Sequence, residues 1–248
     1  LLERSDLCAG TSRACGGALQ LQTKTAGAKL ALARESLRLY DHLEEELGCD
    51  LELQRDGGII VAFTDDEEAY LRHKAEELAA EGVAARYVDA QEARSIQPRV
   101  SPRIRGALWC PEDWVTNPFK VTFGFARAAA ALGVEIRTWT EARGIATDGR
   151  RVTGVETRTG RVPTGLVIAA AGVWTPEVAR WVGLDLPVIP RRGQLLVTEP
   201  MPRLMRGVAL SASYLLSKNM PAQTEPGKSP LLSGAVFFQT MNGNIVAG

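Results

Sequence analysis

Leu1-Leu2-Glu3-Arg4-Ser5-Asp6-Leu7-Cys8-Ala9-Gly10-Thr11-Ser12-Arg13-Ala14-Cys15-Gly16-Gly17 opens the chain, and its reading decides the rest. A short apolar run ending in a carboxylate has the form of the second strand of a dinucleotide-binding unit. There the acid at the strand's carboxyl end accepts the two ribose hydroxyls of an adenosine. Glu3 is placed for that role. In the loop that follows, Thr11 and Ser12 offer hydroxyl donors, and Gly10, Gly16 and Gly17 let backbone approach a flat or charged ligand closely. Such a loop suits a pyrophosphate beside a ring system. Taken alone, the stretch reads equally as a surface turn after any strand.

A second stretch narrows the choice. Leu166-Val167-Ile168-Ala169-Ala170-Ala171-Gly172-Val173-Trp174 is a continuous apolar run ending in small residues, as expected of a parallel strand buried on both faces. Thr175 then stands as the cap of a helix with Pro176 at its first position, reaching Val182 before Gly183.

Together these stretches resemble the flavoenzymes of the D-amino-acid oxidase superfamily, among them glycine oxidase, sarcosine oxidase, D-amino-acid dehydrogenases and the flavin subunits of hydrogen cyanide synthase and opine oxidase. The resemblance rests on Glu3-Arg4, Gly10-Thr11-Ser12 and Gly16-Gly17, and on Ala170-Ala171-Gly172-Val173-Trp174, which is similar to the family's Val-x-Ala-Ala-Gly-Ala-Trp. Asp113-Trp114-Val115-Thr116-Asn117-Pro118 is similar to its Asp-Gly-x-x-Asn/Asp-Pro crossing, with Trp114 in place of the usual Gly. Pro190-Arg191-Arg192-Gly193-Gln194 is similar to its Pro-x-Arg-Gly-Gln strand. The phosphate-binding Gly-x-Gly-x-x-Gly expected about twenty residues before the acid is not in the sequence, so an internal fragment of such a protein is expected.

The resemblance implies an α/β fold, in which an FAD-binding doubly wound (Rossmann-like) domain is interleaved with a mixed, largely antiparallel substrate domain. The expected segments are 1–48 and 117–184 for FAD, and 49–116 and 185–248 for substrate. FAD would be held by Glu3, Arg4, Thr11, Ser12, Gly16 and Gly17, by the main chain of Ala142, and by Ala171 and Gly172. Arg192 and Tyr214 would face the substrate. The implied reaction is oxidation of a small amine or amino acid, with oxygen or a quinone as electron acceptor and with partner subunits in some members. Oxidation of a 2-hydroxy acid is the enzymatic alternative. It calls for a base, usually His, and His42 and His73 both sit among charged helical residues. A nucleotide-binding subunit without catalysis is the third reading.

Composition agrees with a small neutral or zwitterionic ligand. Lys plus Arg equals Asp plus Glu at 29 each, so no net field favours nucleic acid or an anionic membrane. At 248 residues and 45% hydrophobic content, the chain can bury one large core or two modest ones. Cys8, Cys15, Cys49 and Cys110 form no Cys-x-x-Cys pair, and no metal-ligand spacing appears. Reduced thiols and a cytoplasmic protein are expected, with peripheral attachment at the inner membrane left open.

Pattern supplies the remaining elements. Leu30, Ala33, Leu37, Tyr40 and Leu47 recur at helical spacing between Gly27 and a capping Gly48. Asp65–Glu81, with Asp65 as cap, and Asp89–Ile96 read as helices, and so does Pro118 to about Leu132, capped by Asn117. Strands are expected at Leu51–Leu53, Gly58–Phe63, Val134–Ile136, Leu210–Ser217 and Ala235–Thr240. A three-stranded meander is expected over residues 140–162, turning at Asp148-Gly149 and Thr159-Gly160. Trp109 and Trp114 read as packing aromatics before cavity walls.

Overall fold

The computed structural model describes residues 1–190, 192–219 and 234–248, and the side chains of 217–219 lie outside the description. In chain order the elements are β1 (Ala18–Leu19), α1 (Ala28–Leu47), β2 (Gly58–Ala62), α2 (Asp65–Ala80), β3 (Arg86–Asp89), α3 (Ala90–Ile96), β4 (Gly106–Cys110), β5 (Trp114–Val115) and α4 (Pro118–Ala131). Then follow β6 (Ala142–Thr147), β7 (Val152–Thr157), β8 (Gly160–Pro163), α5 (Thr175–Arg180), β9 (Leu196–Pro200), β10 (Val208–Ser211), α6 (Ala212–Asn219), β11 (Val236–Gln239) and β12 (Asn244–Ala247). They gather into two compact units: Leu1–Cys15 with Val121–Gly193, and Gly16–Lys120 with Gln194–Gly248.

The second unit is built on a seven-stranded sheet, ordered β3-β4-β2-β10-β11-β12-β9. Only β2 and β10 run parallel within it. β2 is buried along its whole length, and successive residues feed opposite faces. Ile60 and Ala62 join Leu30, Leu71, Leu78 and Leu215 on one face, whereas Ile59 and Val61 join Val88, Ile104 and Ala107 on the other. α1 packs Leu30 into the first cluster, with Ala33 and Leu37 against it, so the helix expected with the opening segment 1–48 packs inside the second unit. It ends where Gly48 turns left-handed at φ 59° and ψ 37°, and the Cys49 N–H returns to the Glu44 carbonyl at 3.1 Å.

α2 starts one residue earlier than its composition suggests, because Thr64 and not Asp65 is the cap. The Thr64 hydroxyl accepts from the Glu67 N–H at 3.2 Å, leaving Asp65 in the first turn, where its charge complements the helix dipole. α3 is capped by Asp89 as expected, through Gln91 and Glu92 N–H at 2.8 Å each. β3, immediately before it, has no alternating pattern that would mark it in the sequence. Leu51–Leu53 is not a strand; a single bridge joins Gln54 to Val115.

In the first unit, β6, β7 and β8 form the expected antiparallel meander, turning through Gly149 and Gly160 at positive φ. Leu1 to Glu3 lies parallel to Val134–Arg137. Leu1 N donates to the Glu135 carbonyl (2.7 Å), Arg137 N to Leu1 (2.9 Å) and Glu3 N to Arg137 (2.9 Å). Residues 166–170, expected as a buried strand, take no regular structure, and Leu166 and Ile168 are 74% and 83% exposed. An apolar run becomes a central strand only when neighbours pair both of its edges. Thr175 is inside α5 and makes no capping bond; Trp174 precedes the helix.

Candidate functional site

Glu3 ends the parallel-paired segment. Its carbonyl accepts from Thr140 N at 2.8 Å, and its Oε1 accepts from Ser5 N at 2.9 Å. The Glu3 carboxylate thus stands at the carboxyl end of the segment, the place from which an acid accepts a ribose diol in dinucleotide-binding units. Beside it, Arg4, Ser5, Thr140 and Glu141 border a groove of about 540 Å³ that Trp139, Arg158 and Thr159 complete. Two guanidinium groups, three hydroxyls and one indole make this wall a donor-rich surface with an aromatic plate, suited to a nucleoside and its phosphate.

Trp139 is a groove residue that the sequence does not mark. Its backbone is left-handed at φ 52°, a conformation costly for a bulky residue, and its ring is 71% exposed. The indole N–H is fixed by Asp6 Oδ1 at 3.1 Å. A Trp between two threonines carries no sequence signal for such a turn. Ala142 adjoins Glu141 at the start of β6, the outer strand of the meander, so alternate backbone groups of that strand face away from β7.

The opening stretch and the Ala171-Gly172-Val173-Trp174 element meet in this unit: the Arg4 guanidinium lies over the Trp174 ring, 3.9 Å from its centroid. Gly172 is left-handed at φ 55°, and a Cβ there would touch nothing within 4 Å, so backbone conformation and not crowding selects glycine. Thr11 and Ser12 lie exposed in a short 3-10 turn, Thr11–Ala14, with the Cys15 thiol donating to the Ser12 carbonyl at 3.1 Å. Arg192 is exposed and outside regular structure, and its neighbour Arg191 lies outside the described residues. The strand expected from Pro190 begins only at Leu196.

In the second unit, Gly16 and Gly17 are dictated by the chain itself. A Cβ at Gly16 would lie 2.7 Å from the Phe238 ring, and one at Gly17, where φ is 77°, would overlap the Thr116 carbonyl. Tyr214 is not in a strand. β10 ends at Ser211, whose hydroxyl accepts from Tyr214 N at 3.3 Å, and the chain turns into α6, packing Tyr214 on the core. Trp114 is buried, with the Arg55 guanidinium 4.4 Å from its centroid, while Trp109 is half-buried against the sheet. His42 and His73 stand exposed on α1 and α2. The four cysteines are unpaired, and the described residues contain no cluster of metal-ligating side chains and no helix long and apolar enough to cross a membrane.

Comparison with known proteins identifies the family. The chain belongs to the family of FAD dependent oxidoreductases designated DAO, which it matches over residues 1–243. It is 33% identical over 195 residues to the hydrogen cyanide synthase subunit HcnC of Pseudomonas aeruginosa, a match covering 76% of this chain and 47% of that protein. The mitochondrial pyruvate dehydrogenase phosphatase regulatory subunit of Mus musculus is 30% identical over 251 residues, covering 100% of this chain and 26% of the relative. The crystal structure of glycine oxidase from Geobacillus kaustophilus superposes with a TM-score of 0.84 at 23% identity, covering 100% of this chain and 63% of that one. The chain therefore spans about half the length of HcnC, and it carries the mixed α/β fold of the family's solved members.

Proposed function

We propose that the chain is part of an FAD-dependent enzyme that oxidises a small amine or amino acid, of the glycine, sarcosine, D-amino acid or opine type. The observation that carries this reading is Glu3, held at the end of a parallel-paired segment beside a donor-lined groove, in a chain that matches the family over residues 1–243. When bound, FAD would supply the hydride acceptor for oxidation of the substrate's α-carbon, and the imine product would be hydrolysed by water. The donor-lined groove supports placing the adenosine half of that cofactor there. Glu3 would accept its ribose hydroxyls, Arg4 and Arg158 would balance phosphate charge, and main-chain groups near Ala142 would meet the base. Thr11, Ser12, Gly16, Gly17, Ala171 and Gly172 are assigned to the remainder of the dinucleotide, and Arg192 and Tyr214 to the substrate side. Both histidines stand exposed on helices, and neither is presented as the base that a hydroxy acid would need; this supports the amine reading. The electron acceptor is proposed to be oxygen or a quinone.

A second reading, a flavin-fold subunit without catalysis, draws support from the regulatory subunit that aligns with the whole of this chain. Anaerobic titration of the full-length holoprotein separates the two. Glycine, sarcosine, proline, D-alanine and opines are added in turn, beside lactate and 2-hydroxyglutarate. Bleaching of the flavin by one of the amines is the expected result. Bleaching by a hydroxy acid alone overturns the amine assignment, and a spectrum that nothing changes transfers the case to the non-catalytic subunit.

A further inference from the structure

Asp113, in the turn between β4 and β5, has a fully buried side chain. Its Oδ1 accepts from Leu21 N at 2.7 Å and from Gln22 N at 3.4 Å, in the segment that follows Gly16-Gly17. That segment is otherwise held by the two-residue pairing of β1 with β5 and by Thr116 N donating to the Gly17 carbonyl at 2.9 Å. Gln22 is buried as completely as Asp113. Both polar atoms of the Gln22 side chain, and Asp113 Oδ2, are sealed from solvent with no hydrogen-bond partner among the described residues. They converge beside Gly58, where a methyl would overlap Gln22 Nε2 and lie 2.8 Å from Asp113 Oδ2. Buried polar atoms left unpaired are costly, and three at one point in a tightly packed core call for a shared explanation.

We propose that Asp113 is a positioning residue: its Oδ1 fixes the backbone of Leu21 and Gln22, and its Oδ2 forms with the Gln22 amide a buried two-state pair that holds the segment after Gly16-Gly17 against the β4–β5 turn. In one state the carboxylate accepts from the Gln22 amide N–H. In the other the carboxyl is neutral and donates its proton to Gln22 Oε1 after the amide turns over. The states differ by one proton, taken from or returned to solvent, and by the half-turn of the Gln22 amide.

Burial pushes the Asp113 carboxyl up to about 6, against the opposing pull of the Leu21 and Gln22 amides. The Gln22 side chain is near enough to favour the charged form, although no oriented bond joins it to Oδ2. The titratable groups facing Asp113 are few. The Cys110 thiol at the end of β4 is itself pushed far up by burial, and Glu112 is turned to Ala84 N at 2.7 Å. β2 contributes Gly58 and the opposing segment Leu21 and Gln22, none of which titrates. An acid whose pKa is higher folded than unfolded destabilises the fold as pH rises. The penalty is absent below the unfolded value of 3.8 and complete above about 6.

The inference is independent of the assigned activity, and its test uses the full-length holoprotein. In wild-type protein the Asp113 carboxyl carbon is followed by NMR, and hydrogen exchange is read at the Leu21 and Gln22 amides. Asp113→Asn and Asp113→Ala are compared by urea unfolding between pH 4 and 7. The carboxyl is expected to titrate near 6. The folding constant of Asp113→Asn should rise relative to wild type across this window, on the order of a hundredfold. Asn retains an acceptor for both amides, so they should exchange faster in Asp113→Ala but not in Asp113→Asn. If Asp113→Ala does not fold, the carboxyl titration and the Asn comparison decide alone. A carboxyl midpoint near 4, a pH-independent difference between Asn and wild type, or equal amide exchange in Asn and Ala overturns the proposal.

Discussion

Arg4 lies over Trp174, its guanidinium 3.9 Å from the ring centroid, and thereby joins two stretches that are 170 residues apart in sequence. Both side chains are exposed, which puts the contact at the lower end for a cation–π pair, about 0.5 to 1 kcal/mol. Arg4→Met and Trp174→Leu should each destabilise the protein by that amount in urea unfolding, and the double variant by clearly less than the sum. Strict additivity would mean that the pair contributes nothing in solution.

Glu3→Gln keeps an oxygen for the Ser5 N–H, so the local turn should survive. On the proposed role of Glu3, it would lose a charge-assisted bond to the ribose, worth about 1.5 to 3 kcal/mol. In full-length protein, the FAD dissociation constant followed by flavin fluorescence should rise about tenfold or more, with an unchanged melting temperature of the apoprotein. An unaltered dissociation constant would remove Glu3 from the cofactor site.

Gly17→Ala should be among the most damaging single changes. At φ 77° any other residue is strained, and the added Cβ overlaps the Thr116 carbonyl, for a combined cost of at least about 2 kcal/mol. Gly165→Ala is the control, since its backbone is not left-handed and nothing lies within 4 Å of the new methyl. Thermal melts of the pair should differ by well over 5 °C; matching melts would contradict the Gly17 argument.

Asn117 caps α4 through Phe119 N at 3.0 Å and Lys120 N at 3.3 Å, and its amide also donates to Glu52 Oε2 at 3.1 Å. Asn117→Ala should cost about 1 kcal/mol, the usual loss on removing a cap. Asn117→Asp should retain the cap yet set a carboxylate against Glu52. If the Asp variant matched wild type at pH 7 and the Ala variant did not, the cap alone would account for the residue.

Elements whose stabilising contacts are local were legible in sequence. The α1 stripe from Leu30 to Leu47, the Gly48 cap, the Asn117-Pro118 start of α4 and the 140–162 meander each depend on neighbours within a few residues. Elements defined by distant partners were not. Leu166–Ala170 has the composition of a central strand, but pairing is a property of what lies alongside it. Residues 212–217 read as a strand because Tyr214 and two leucines continue the apolar pattern of β10. The missed signal was Ser211, a helix-capping residue three positions before Tyr214. At the candidate site, Glu3 was legible from its place after an apolar run. Trp139 and Arg158 were not, because a left-handed turn and the tip of a hairpin bring them to the groove wall.

The parallel pairing of β2 with β10 has a consequence for how the protein is made. Gly58 is matched with Val208, about 150 residues later, so the buried strand Gly58-Ile59-Ile60-Val61-Ala62 emerges from the ribosome long before its partner exists. Until then it can pair only with β4, and its other edge offers an apolar template to any chain nearby. At typical synthesis rates that exposure lasts on the order of ten seconds, far longer than a hairpin takes to form. Escape from aggregation during translation therefore depends on how long that edge stays uncovered, and a nascent-chain chaperone would have its most probable landing point there.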